Sequence, residues 1–322
     1  MSAARLFLLI AGPPLIVGGL YALTEPDFAD GADAAHDDGS RVRETASDGP
    51  PVKDPARGAL EIACAAAAAR IRPLLDAPAA VIVRPPYVLA GDMGEAELAR
   101  RHDQVIVPLE RALRTSYFDH PPPRPVTIVM LRDEASFRRH AARLDGPGRN
   151  CYAGYYLQGE DRIVLNLATG NGTLAHELTH ALAHFDFPRI PEWFDEGLAS
   201  LHEESEFSAD GRDISGLPNW RSRHLALGYR EGTVRSLEAL VRHGTLRPRH
   251  EAIDYAHARY FCLYLQERRL LGAFYRKFRT THAADPTGDR ALRELLEIDS
   301  LDEIETRFRR WVDAQSERGL AG

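Results

Sequence analysis

The segment His176-Glu177-Leu178-Thr179-His180 constrains this chain more than any other five residues. Two histidines at positions i and i+4 fall on one face of an α-helix, so both imidazoles can reach a single ion. Glu177 follows the first histidine. Its carboxylate then stands beside the metal without having to coordinate it, where it can take a proton from water. The loop at 170–172 and Thr173 as N-cap predict a helix running to about Phe185, with Pro188 and Pro191 closing it.

A hydrolytic zinc needs three protein ligands and one open position. A second predicted helix starts near Pro191 and carries Glu196, which can complete a His₂Glu set if that helix folds back on the first. Glu192 is the rival third ligand if the turn between the helices is shifted. His184 lies one turn beyond His180, and the helix axis carries it away from an ion seated between 176 and 180, so it reads as helix packing. No glycine and histidine follow at metzincin spacing.

Taken together, HELTH at 176–180 and WFDEGLA at 193–199 resemble the gluzincins, in particular the peptidase MA-like families. The resemblance covers roughly 80–280 and is specific over 154–203. It implies a zincin-like fold, Zn²⁺ held by His176, His180 and Glu196, and Glu177 as general base for attack of water on a peptide bond. Glu203, seven residues after Glu196, falls where related aminopeptidases often carry an acid. The resemblance also implies a substrate-binding strand edge beside the metal helix, for which Arg162 to Leu167 is the candidate. It implies a later helix with an oxyanion donor, for which Tyr255 is the first candidate and His257 the second. The aminopeptidase motif G-x-M-E-N is absent, which favours an endopeptidase. The alternative is a zinc-containing peptide-binding module without activity.

Elsewhere the chain reads as α+β. Helical propensity covers 59–75, 95–117 (kinked or divided by Pro108) and 134–144, and strand-like runs cover 80–84, 87–89 and 125–131. Residues 154–157 and 162–167 flank Gln158-Gly159-Glu160-Asp161 as a hairpin. Helices are expected at about 234–243, 252–279 and 287–315. The folded unit, 57–322, therefore divides into a mixed α/β part at 57–187, with a small sheet beside the HExxH helix, and a mainly helical part at 188–322.

Residues 6–23 form an uncharged apolar run behind Arg5, which reads as a signal peptide or N-terminal membrane anchor. The working part is then exported, anchored outside the cytoplasm or secreted after cleavage, with peptides or proteins of the cell envelope as substrates. Residues 24–56 hold nine acidic and three basic residues without apolar periodicity, and read as a disordered acidic tether. Of the net charge of −7, only about −2 falls on 57–322, which argues against nucleic acid as a partner. The three cysteines, Cys64, Cys151 and Cys262, lack zinc-knuckle spacing.

Overall fold

The apolar runs and their period-2 alternation build a five-stranded sheet, β1 (Ala80–Arg84), β2 (Tyr87–Gly91), β3 (Val126–Leu131), β4 (Gly154–Leu157) and β5 (Arg162–Asn166). The computed structural model describes residues 55–146 and 153–318. Spatial order is β1-β2-β3-β5-β4, with β2, β3 and β5 parallel and the two outer strands antiparallel to their neighbours. Alternate residues feed two cores. Val88, Ala90, Val129, Leu131 and Val164 pack under α1 (Pro55–Ile71) and α4 (Glu134–Asp145). Tyr87, Leu89, Ile128, Met130, Ile163 and Leu165 face α2 (Glu95–Arg101), α3 (Val107–Ser116) and α5 (Asn171–Asp186). Both faces are covered by helices, which is why the central strands are apolar throughout.

The second core does not stop at residue 187. It runs on into α6 (Glu192–Leu201), α7 (Arg221–Glu231), α8 (Leu237–His243), α9 (Glu251–Glu267), α10 (Leu271–Thr281), α11 (Asp289–Leu296) and α12 (Leu301–Arg318), so the two expected parts share one core. A two-stranded ribbon, β6 (Ser205–Phe207) with β7 (Ile214–Gly216), follows α6.

Several expectations need correction. The helix expected at 95–117 divides at a π-helical segment, 102–106, where the N–H of Val107 donates to the carbonyl of His102. Pro108, which cannot donate and crowds the preceding turn, stands in the first turn of α3, so of the two effects expected of it, a kink or a division, the structure shows the division. The long helix at 252–279 breaks between Glu267 and Leu271, where Arg269 takes φ 59°. The one at 287–315 breaks at Glu297, φ 55°. Thr173 is not an N-cap: α5 begins at Asn171, and the Thr173 hydroxyl bonds that of Thr169 at 3.0 Å.

The substrate-edge expectation also fails in place. Arg162–Asn166 is paired on both sides, by β3 and β4, so β4 is the sheet edge nearest α5. Among the described residues no helix is long and apolar enough to cross a membrane. The apolar run at 6–23, Cys151 and all of the acidic stretch except Pro55 and Ala56, which open α1, lie outside the described residues. Cys64 and Cys262 are free and buried in the core.

Candidate metal centre

α5 is buried along nearly its whole length, and its polar residues His176, Glu177, Thr179 and His180 are all inside. Burying charged and polar groups is costly unless each finds a partner. Thr179 donates to the carbonyl of Ala175 one turn back. The two histidines meet carboxylates of α6 and of Glu203 just beyond it.

Two glycines permit that approach. A Cβ on Gly197 of α6 would stand 2.8 Å from the carbonyl oxygen of Ala258 and 3.0 Å from Cys262 Sγ, so α6 and α9 cross in near backbone contact. A Cβ on Gly172 would stand 2.3 Å from the carbonyl oxygen of Glu203, which brings the end of α6 against the first turn of α5. The first contact brings Tyr255, one turn before Ala258, to the Glu196 side of α9. The second brings Glu203 to His176.

The Nε2 atoms of His176 and His180 are 3.0 Å apart, and Glu196 Oε2 lies 3.6 Å from each. All three side chains are at most 1% exposed. Tetrahedral zinc with ligands at about 2.0–2.1 Å would separate its donors by roughly 3.3 Å, which this triangle nearly matches. Both Glu196 oxygens and Glu177 Oε2 are buried without a hydrogen-bond donor. Orphaned carboxylate oxygens beside two imidazoles fit a divalent cation, and the nitrogen and carboxylate donors suit zinc.

Behind the donors stands an outer layer. Asp195 Oδ1 is 2.9 Å from His180 Nδ1, and its Oδ2 shares a 2.9 Å hydrogen bond with His184 Nε2. Glu203 Oε1 is 3.1 Å from His176 Nδ1, and Arg221 Nη1 donates to Glu203 Oε2 at 2.6 Å. The two Nδ1 contacts are close ion-pair contacts, lacking the in-line geometry of a hydrogen bond. A carboxylate behind each ring favours the proton on Nδ1 and leaves Nε2 facing the cluster.

The titration of these groups follows the same arrangement. Burial opposes charge on His176, but Glu196 and Glu203 outweigh it and push the imidazole up to about 9. Burial likewise opposes charge on His180, but Asp195 and Glu196 outweigh it and hold the imidazole well above its ordinary range. In Glu203, burial is overcome by His176 and Arg221, which hold the carboxyl down at about 2. Glu177 moves the other way: burial raises its carboxyl, against the pull of His176 and His180.

Tyr255, 7% exposed, lies beside Glu196 and Glu177; burial and then the Glu196 carboxylate hold its phenol well above the ordinary range. His257 is placed elsewhere. It points into the helical core, stacked 5.7 Å from Phe308 and 3.3 Å from the Tyr229 hydroxyl, where burial depresses it to about 3. A residue two positions from Tyr255 faces another side of α9, so His257 drops out as an oxyanion donor.

Of the rivals, His184 hydrogen-bonds Asp195 and is not one of the three converging donors, and Glu192 opens α6 one turn before Glu196. Sequence reasoning missed Asp195 altogether and assigned His184 to helix packing, where the structure pairs it with Asp195. Their adjacency to recognised ligands is the only signal either carries in the sequence.

No protein-family model and no curated protein matches the sequence. The functional reading therefore rests on residues and geometry.

Proposed function

We propose that this chain is a zinc-dependent peptidase with a zincin-like fold, and an endopeptidase. The observation that carries the reading is the convergence of His176 Nε2, His180 Nε2 and Glu196 Oε2 within 3.6 Å, with Glu177, its Oε2 buried and unpartnered, on the same helix.

Zinc, when bound, would polarise the scissile carbonyl and acidify water. His176, His180 and Glu196 would hold the ion, and Asp195 and Glu203 fix the two rings that face it. Glu177, raised by burial, has an affinity suited to taking a proton from the attacking water and returning it to the leaving amine. Tyr255 is protonated at every physiological pH, so its hydroxyl can donate to the oxygen that gains charge. The apolar run at 6–23 supports export, and with it peptides or proteins of the cell envelope as substrates.

Zinc content measured together with cleavage of a denatured-protein or peptide library tests the proposal. Turnover that Glu177→Gln abolishes while zinc is retained supports a peptidase. Zinc without turnover on any substrate favours the non-catalytic peptide-binding module.

A further inference from the structure

Beside the metal centre lies a groove that the proposed chemistry does not use. It has a volume of about 400 Å³ and runs between α7 and the first turn of α9, with Leu227, Ala252 and Ile253 among its apolar lining and Glu231, Glu251 and Arg249 among its charged lining. Glu251 and Tyr255 are one turn apart on α9, so the groove and the oxyanion donor share a helix face.

Two carboxylates line the groove without an ion-pair partner among the described residues, Glu231 exposed and Glu251 half-buried. Glu231 is the last residue of α7, where the helix dipole disfavours an anion, and no cation pairs with it among the described residues. Glu251 is partly buried and likewise has no ion-pair partner among them. Burial raises its carboxyl, and the nearby Glu196 and Glu192 raise it further. Leu227, 45% exposed, supplies part of the groove's apolar wall.

We propose that this groove is a specificity subsite for a basic side chain of the peptide substrate, the aliphatic stem lying on Leu227 and Ile253 and the cationic head between Glu231 and Glu251. Lysine and arginine have this shape, an apolar stem with a charged tip. The inference rests on the peptidase reading for the presence of a peptide, but not on turnover.

The test uses the full zinc-loaded chain carrying Glu177→Gln, and fluorescent hexapeptides that differ at one scanned position: arginine, its neutral isostere citrulline, or glutamate. At low ionic strength, arginine at one position is expected to bind about tenfold more tightly than citrulline, as a charge-assisted contact gives. Adding Glu231→Gln and Glu251→Gln should bring that ratio close to one, while citrulline-peptide affinity and zinc content stay unchanged. The subsite is overturned if no position prefers arginine, if glutamate binds best through Arg249, if the preference survives both substitutions, or if none of the peptides binds. Turnover of the same peptides by the wild-type chain is read separately. Arginine-selective binding without turnover would remove the peptidase reading and leave the subsite standing.

Discussion

Asp195 joins two histidines of one helix: its carboxylate lies 2.9 Å from His180 Nδ1 on one side and 2.9 Å from His184 Nε2 on the other. Burial would raise this carboxyl, yet the two imidazoles draw it well below the usual range. The residue next to a metal ligand in sequence therefore holds a different ligand in space.

Replacing Asp195 by asparagine keeps the shape but removes the charge behind His180. Zinc affinity is expected to fall about 10–100-fold, as for other outer-layer carboxylates, measured by competition with a chelator of known affinity. Unchanged affinity would mean that Asp195 serves only packing.

Gly197→Ala would drive a methyl group into the backbone of α9 at Ala258. The expected loss is about 1–3 kcal/mol in chemical denaturation, as for other overpacked contacts. It should come with weaker zinc binding, because the same crossing sets Glu196 beside Tyr255. A neutral effect on both would contradict the close crossing.

Tyr255→Phe is expected to lower kcat about 100-fold or more while leaving zinc content and KM close to wild type. A KM change with kcat preserved would make Tyr255 a substrate-binding residue.

Acid should destabilise the metal-free protein through two buried rings away from the metal donors. Burial depresses both His257 and His202 to about 3, with Arg259 adding to the effect on His202. Unfolded, each titrates near 6.5. Between roughly pH 6.5 and 3 the unfolded chain thus binds more protons, and stability falls as pH falls, by up to about 1.4 kcal/mol per pH unit for each ring. Above that window neither contributes. His257→Phe should flatten the slope by one proton in denaturant titrations with chelator present; an unchanged slope would contradict the burial assigned to it.

Much of this arrangement was legible in the sequence because it is local. Helical spacing alone puts His176 and His180 on one face, and the apolar runs within 126–131 and 162–166 report buried strands. What stayed hidden depends on contacts between distant segments. Arg162–Asn166 reads as one arm of a hairpin with a free edge until β3, from 126–131, pairs with its other side. Tyr255 and His257, first and second candidate, both stay open until the Gly197–Ala258 crossing decides which side of α9 meets α6. The ribbon of β6 and β7, three residues in each strand, is too short to leave a periodic signal.

The most direct test of the central claim is the zinc content of the purified full chain and of Glu177→Gln, measured alongside peptide cleavage by each. About one zinc per chain in both, with cleavage by the wild type alone, is the expected result. A folded wild-type protein that takes up no zinc, or a Glu177→Gln chain that cleaves as fast as the wild type, would contradict it.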